Sequence, residues 1–551
     1  MAVTRGQRWL GLGLAMALTW LVGYPLLITL AEALGLPGLD LESFRQFAQR
    51  PDEWRALWQS LWISAASVAL AAAIGIPLGF LFSRNEFPGR RLLGSLVILP
   101  VALPPLVGVI AFLFLYGESG LLTRSLQLAL GLAEPPWRLA GPGAILLVHA
   151  YSMYVFFYLF TRAALARFDS SVLEAAAALG AGRWRTLFKV TLPLLVPALV
   201  GAGLLTFMTA LGSFSAPYLF GGGFRVLPTQ IVASKLNGEL GMARVETVML
   251  AAVAFFGLWL VRRFDAEKHT VAGGTRGVAP SRRRLRGSGA RLAAGVAGWS
   301  LALFLLLPHL TLILISFVPP VSWTTELLPP ILNTVNYRTL LAETERLRPV
   351  LNSLWMAVVA TAAALTIGAT VARLSLTLKG RLGRWLELLL VVPWAIPGTV
   401  FAVALALTFS VRAAWMGRFV LVGTLWILPL AYFVRSLPVT GRSALAGLRQ
   451  FDTRLEEAAE SLGAGKIYTW RRITLPLLKP ALAAGASLAF ITALGDFVTS
   501  IVLYTYDTRP VSVEILSSLR LQDTGVAAVY GVFLMIVSAT IFLLWGRQEG
   551  V

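Results

Sequence analysis

The chain of 551 residues has no cysteine and only three histidines. The lack of thiols excludes disulfides, thiolate-bound metals and cysteine nucleophiles. The histidines, His149, His269 and His309, lie far apart in the sequence. Charged residues are scarce as well, at 13% of the chain against about a quarter in a typical globular protein. We therefore predict neither a metal site nor a catalytic site in this chain.

Hydrophobic residues take the place of the missing charges. They make up 57% of the chain, and the mean hydropathy of +0.75 excludes an ordinary soluble domain. The formal net charge of +20 could suggest nucleic acid as a partner. Because the basic residues lie mostly in short loops between apolar runs, membrane topology and anionic lipid headgroups explain the charge better. We predict membrane lipid, and no nucleic acid, as a partner.

Apolar runs of about 20 residues, the length that crosses a bilayer as a helix, recur along the whole chain. They predict an all-α membrane protein with about twelve transmembrane helices, near residues 9–30, 57–82, 93–116, 142–160, 193–216, 246–262, 295–318, 351–374, 386–410, 419–437, 476–503 and 525–546. Alternate loops are rich in Lys and Arg, with Arg435 assigned to one of them, which places both termini in the cytoplasm. The first run is longer than the apolar part of a signal peptide, so we expect it to be retained.

The spans divide the chain into two halves and a connecting segment. Residues 1–262 form the first predicted repeat and residues 292–551 the second. The segment 263–291 is rich in Gly, Arg and Ser and has no hydrophobic periodicity. We predict that it is a cytoplasmic linker whose main role is topological.

One motif occurs in both halves, and its second copy begins 283 positions after the first. Each copy predicts a short alanine-rich helix that ends in a left-handed glycine, Gly180 or Gly463, and is followed by a basic stretch. The Ser/Thr-x-x-Glu spacing at Ser171 and Thr453 predicts a capping box at the start of each helix. Since six spans in each half insert with the same orientation, the halves are expected to be parallel repeats about an axis along the membrane normal.

These loops resemble the "EAA" loop of binding-protein-dependent ABC importer permeases, and the resemblance covers both halves. It implies a type I importer permease fold in which each loop forms a coupling helix that docks on an ATP-binding subunit. By position, the coupling residues are Glu174, Ala175, Ala176, Leu179 and Gly180 in the first half, and Glu457, Ala458, Ala459, Leu462 and Gly463 in the second.

The fused two-permease layout is similar to the ferric-iron type and, next, to the thiamine type. The stretches 221–226 and 494–497 look more like the ferric-iron type. The resemblance therefore implies import of a small solute across the cell inner membrane, with ferric iron as the first expectation and thiamine, a polyamine or another small solute as alternatives. It also implies a periplasmic or lipid-anchored solute-binding protein as a partner.

The chain contains no Walker A loop. In its nearest fragment, Gly465-Lys466, the next residue is Ile467 instead of the Ser or Thr that the motif requires. We therefore expect this chain to bind no cofactor and to hydrolyse no ATP. ATP and magnesium are expected in a partner ABC ATPase, in two copies, one for each loop.

Asp496 lies within a predicted span, where an ionisable group usually faces a cavity or a partner. Its repeat mate is Ser213. We predict that these residues line the solute pathway or gate it; a hydrogen bond that locks helices together is the alternative for Asp496. The neighbouring aromatic residues and the intramembrane prolines complete the predicted pathway set: Phe214, Phe497, Pro104 and Pro397. The prolines are equally consistent with ordinary helix bending, and His149 is expected to be a packing residue.

A secondary, ion-coupled transporter with six plus six helices is the alternative function. Its usual loop between the second and third spans contains an Asp-Arg pair, which the segment 83–91 lacks. A proton-coupled carrier would also need more intramembrane acids than Asp496. Neither alternative explains the two glycine-terminated loops.

Overall fold

The computed structural model describes residues 4–166, 170–266, 283–284, 287–320, 322, 329–378, 380–413 and 416–546. Most of these residues are helical. Most of the predicted linker, 263–291, lies outside the described residues. At its described part, the short strand β2 (Arg283–Arg284) pairs in parallel with β1 (Asn85–Glu86).

The helices of the first half run from the N-terminus to residue 266. They are α1 (Arg5–Leu18), α2 (Tyr24–Ala33), α3 (Glu42–Gln49), α4 (Pro51–Arg84), α5 (Arg90–Ala102), α6 (Pro105–Tyr116), α7 (Leu121–Ala129), α8 (Gly141–Ala166), α9 (Ser170–Ala178), α10 (Arg183–Thr186), α11 (Leu192–Leu211), α12 (Ser215–Phe220), α13 (Leu227–Leu236) and α14 (Leu240–Ala266).

The helices of the second half begin at residue 288. They are α15 (Ser288–Ser316), α16 (Val335–Ala342), α17 (Thr344–Thr377), α18 (Arg381–Ala395), α19 (Gly398–Thr408), α20 (Ile427–Gln450), α21 (Arg454–Ser461), α22 (Lys466–Thr469), α23 (Leu475–Leu494), α24 (Val498–Leu503), α25 (Val511–Arg520) and α26 (Thr524–Gly546). Short π-helical turns join α1 to α2, α10 to α11 and α22 to α23.

Most of the predicted spans correspond to single helices of the structure. Within the described residues, ten helices are long and apolar enough to cross a membrane, or eleven if α18 and α19, bent by 107°, form one span. The predicted span 419–437 falls on α20, which begins eight residues later and carries Arg435, Arg442 and Arg449. These arginines lower the hydropathy of α20 although the helix packs inside the bundle. The predicted span 93–116 is likewise divided, because α5 ends at Ala102 and α6 begins at Pro105.

The same three-helix core occurs in both halves. Helices α4, α8 and α11 pack together in the first half, and α17, α20 and α23 do so in the second. The close approach depends on glycine: a Cβ at Gly75 would overlap the backbone of Tyr154, and one at Gly368 would lie 2.7 Å from the hydroxyl of Thr440. Small residues permit such approaches between membrane helices, where packing replaces the hydrophobic effect as the main attraction.

The opening helix of each half packs on the opposite half. The indole of Trp20 donates to the carbonyl of Gly417 (2.9 Å) at the second half, while α15 lies on α5 and α6. Helix α15 also contacts α8, where the hydroxyl of Tyr151 donates to the carbonyl of Leu305 in α15 (2.8 Å). The two repeats are thus interlocked, and the boundaries 1–262 and 292–551 describe the sequence repeat rather than two separately packed bodies.

Two buried acids meet where α4 and α14 pack on α13. Glu53 is 2% exposed and Glu246 is fully buried, and the two carboxyl groups are neighbours beside α13. One oxygen of Glu53 accepts from Gln230 (3.3 Å), and one of Glu246 accepts from Ser234 (2.8 Å). The second oxygen of each carboxyl has no partner in the described part of the chain. The corresponding positions of the second half hold Arg346 and Tyr530, so this contact between acids is confined to the first half.

Glu246→Gln is expected to stabilise the protein. The glutamine amide can donate to the free oxygen of Glu53 and removes one of two adjacent buried acids, a gain of about 1–3 kcal/mol. The midpoint of thermal unfolding in detergent should therefore rise. Tyr530→Phe is the matched control: it removes the 2.7 Å hydrogen bond to the carbonyl of Arg346 and should lower the midpoint. A lower midpoint for Glu246→Gln would contradict this interpretation.

Candidate coupling and translocation sites

The first predicted coupling loop is a short helix closed by a left-handed glycine. Gly180 has a φ of +72°, and the N–H of Gly180 donates to the carbonyl of Ala177 (3.0 Å). The N–H of Ala181 donates to the carbonyl of Ala176 (3.0 Å). This pair of hydrogen bonds is the Schellman motif, which satisfies the last carbonyls of a helix and turns the chain sharply.

The second loop repeats this geometry at the matching residues. Gly463 has a φ of +83° and donates to the carbonyl of Glu460 (3.0 Å), while Ala464 donates to that of Ala459 (3.0 Å). The next helix begins after an extended glycine in both copies, Gly182 or Gly465. The motif therefore specifies one local structure twice, as its glycines predict.

Each loop presents apolar side chains to its surroundings. Leu179 is 87% exposed and Leu462 is 89% exposed. Trp184 stacks on Phe188 with ring centroids 6.1 Å apart, and both side chains are exposed, as is Ile467 at the position that matches Trp184. Exposed apolar clusters of this kind mark sites of contact with another protein or with the membrane.

The other predicted coupling residues divide between two sides of each helix. Glu174, Ala175, Glu457 and Ala458 are exposed, whereas Ala176 and Ala459 are buried. The buried alanines therefore face the chain itself, and the exposed residues are the ones available to a partner. Their docking role remains a prediction.

The predicted capping box at Thr453 is wrong. Thr453 makes no side-chain cap, and the N–H of Arg454 instead donates to the carboxylate of Asp452 (3.0 Å). Glu456, the other half of the expected box, is buried and bonds to Arg373. The first predicted box begins beside residues 167–169, which lie outside the described residues.

The predicted pathway residues meet where the two halves touch. The rings of Phe214 and Phe497 have centroids 5.6 Å apart. A Cβ at Gly212 would lie 3.5 Å from Pro397, and one at Gly495 would overlap Pro104. Each half thus places a proline against the glycine of the other, in the reciprocal arrangement that a pseudo-two-fold axis requires.

Asp496 belongs to an ion pair at this contact. Its carboxylate lies 2.7 Å from the guanidinium of Arg435 and accepts from the N–H of Thr499 (2.8 Å). Arg435 also donates to the hydroxyl of Thr499 (2.7 Å). Sequence reasoning assigned Arg435 to a cytoplasmic loop; the structure places it inside α20, with 27% of its side chain exposed.

In the first half, Ser213, the repeat mate of Asp496, belongs to a polar contact of different composition. The imidazole of His149 lies 2.9 Å from the hydroxyl of Ser213 and 2.8 Å from that of Ser67. Both ring nitrogens therefore have partners, in agreement with a packing role for this histidine. The contact of the second half is thus an ion pair, whereas that of the first half joins an imidazole to two hydroxyl groups.

The comparisons with known proteins identify the family. Residues 75–269 and 364–548 match the family described as "Binding-protein-dependent transport system inner membrane component". The chain belongs to this family. Because the match occurs once in each half, the chain is the fused form of the permease and has the two parallel repeats that the sequence predicted.

Two of the similar relatives described here are named for the substrate that they transport. It is 29% identical over 96% of its length to 94% of the probable ABC transporter permease protein y4fN of Sinorhizobium fredii. It is 27% identical over 89% of its length to 70% of the ferric transport system permease protein FbpB of Actinobacillus pleuropneumoniae. It is 34% identical over 38% of its length to 94% of the molybdenum transport system permease protein ModB of Escherichia coli K12.

The family assignment settles the class of the protein. The permease is a multi-pass membrane component of an ABC importer, a class that works with an ATPase and a binding protein. This assignment excludes the alternative function, an ion-coupled secondary transporter.

Proposed function

We propose that the permease imports ferric iron, delivered by a periplasmic or lipid-anchored binding protein, through a pathway between its two halves. The observation that carries this proposal is the similarity to the ferric permease FbpB, which extends over 89% of the chain and includes both repeats. The termini and the two coupling loops lie on the cytoplasmic side in this proposal.

In this proposal, the mechanical work of the ATPase is transmitted to the permease through the two coupling loops. Two ABC ATPase subunits, which bind ATP and magnesium, each dock on one loop through its exposed leucine, Leu179 or Leu462. Closure of the ATPase pair draws the loops together. Because the loops are continuous with α11 and α23, this motion changes the contact between the halves at Phe214 and Phe497.

An oxyanion such as molybdate is the second candidate substrate. The observation in its favour is the 34% identity with ModB, a higher value than with FbpB over a shorter part of the chain. Thiamine and polyamines remain further alternatives.

Uptake by the reconstituted complex tests the proposal. The permease, an ABC ATPase and a solute-binding protein are assembled in liposomes and supplied with ferric iron, molybdate, thiamine or a polyamine. We expect ATP-dependent uptake of ferric iron alone. Uptake of molybdate alone would replace the substrate, and uptake by the permease without an ATPase, driven by an ion gradient, would overturn the mechanism.

A further inference from the structure

An ion pair between a buried carboxylate and a partly exposed arginine ties the second coupling helix to the membrane bundle. Glu456 of α21 is 8% exposed, and its carboxylate accepts from the guanidinium of Arg373 of α17 at 3.1 and 3.3 Å. The hydroxyl of Thr474 donates to the same carboxylate (2.5 Å). The guanidinium of Arg373 also lies over the ring of Trp470, 4.8 Å from its centroid. We name Glu456, Arg373, Trp470 and Thr474 the α21 clamp.

The α21 clamp joins three separate parts of the second half. Arg373 belongs to α17, a member of the three-helix core, and Trp470 and Thr474 begin and end the π-helical turn that leads into α23. Charge-assisted hydrogen bonds are stronger than neutral ones and fix their geometry more closely. Breaking such a pair by removing one partner leaves a poorly solvated charge. A displacement of α21 is therefore transmitted to α17 and α23 together.

At the matching positions, the first half has no charged residue that could form this ion pair. The repeat places Phe80, Leu173, Leu187 and Thr191 at the positions of Arg373, Glu456, Trp470 and Thr474. Three of these residues are apolar. The hydroxyl of Thr191 is buried without a hydrogen-bond partner among the described residues. The exposed parts of the two loops thus have the same geometry. The loops differ in the buried contacts that attach each of them to its own half.

We propose that the α21 clamp is a positioning device that makes the second coupling loop the stiffer of the two and the one through which ATPase closure is transmitted more efficiently. This inference rests on the proposed docking of the loops on an ATPase. Glu456 and Arg373 touch neither solute nor nucleotide in it; they act by holding α21 in register with α17. The two nominally equivalent loops are then mechanically unequal.

Glu456→Gln tests the clamp in the complete complex of permease, ATPase and binding protein. It keeps the size of the side chain and removes its charge. We expect normal co-purification of the ATPase and continued ATP hydrolysis, but roughly tenfold fewer solute molecules transported per ATP, within the usual range of coupling between sites. Thr191→Val is the matched control at the first loop, where Phe80 and Leu173 occupy the positions of the ion pair, and should leave this ratio unchanged.

The double variant Arg373→Phe/Glu456→Leu covers the case in which Glu456→Gln fails to fold. It installs the residues of the first half and leaves no unpaired charge, so it should assemble and show the same loss of coupling. A wild-type ratio of transport to ATP hydrolysis in either assembled variant would overturn the clamp. A wild-type permease that neither binds nor stimulates the ATPase would instead overturn the proposed function, so the two failures are distinguishable.

Discussion

Leucine at both Gly180 and Gly463 is expected to abolish ATP-driven uptake and to leave the permease folded in the membrane. Both glycines have positive φ, +72° and +83°, a conformation that costs an L-residue about 1–2 kcal/mol. Apart from the adjacent residues, no atom of the described residues lies within 4 Å of the Cβ that either position would gain. The added side chains therefore enlarge the exposed surface of each loop and disturb the chain itself only slightly.

The loss of uptake in the double variant should come from the partner contact. A bulky side chain beside Leu179 or Leu462 occupies space that the docking ATPase needs, and overpacking at an interface is unfavourable as it is in a core. We expect the ATPase to be lost on purification of the complex. Each single variant should retain part of the activity, since one loop remains intact.

Gly423→Leu is the matched control for backbone strain. Gly423 also has a positive φ, +89°, and open space around its Cβ position, but it lies in the connection between α19 and α20. This variant should transport at the wild-type rate. Wild-type uptake by the variant with leucine at Gly180 and Gly463 would refute the coupling role of the loops.

The parts of the structure that depend on neighbouring residues could be predicted from the sequence. The apolar runs locate most of the spans, and the glycines at 180 and 463 specify the Schellman turn because only nearby backbone groups take part in it. The repeat also pairs Pro104 with Pro397 and Phe214 with Phe497. Their meeting at one contact follows from the symmetry of a duplicated chain.

The parts of the structure that depend on residues distant in the sequence could not be predicted from it. The Ser/Thr-x-x-Glu spacing is a local signal for a capping box. At Thr453 the box does not form, and Glu456 instead forms an ion pair with Arg373. Arg435 appeared to mark a loop because the positive-inside rule reads charge along the chain. Its carboxylate partner, Asp496, compensates it within the bundle. The local sequence likewise does not predict that the opening helix of each half packs on the opposite half.

Asp496→Ala is expected to destabilise the permease strongly. It removes the carboxylate that faces the guanidinium of Arg435, which keeps its hydrogen bond to the hydroxyl of Thr499. Removing one partner of a buried ion pair costs about 3–5 kcal/mol, and because 27% of the Arg435 side chain is exposed we expect the lower end, about 3 kcal/mol. Thermal unfolding in detergent measures the effect.

The double variant Arg435→Ser/Asp496→Ser separates the two roles considered for Asp496. It gives the second half the residues of the first, Ser152 and Ser213, and leaves no unpaired charge. Replacing both members of such a pair is often close to neutral for stability, so the unfolding midpoint should return to near the wild-type value. If the ion pair lines the solute pathway, uptake should stay impaired in this stable variant, which is the result we expect. Recovery of uptake together with stability would show that Asp496 only holds α20 against α24, within the second repeat.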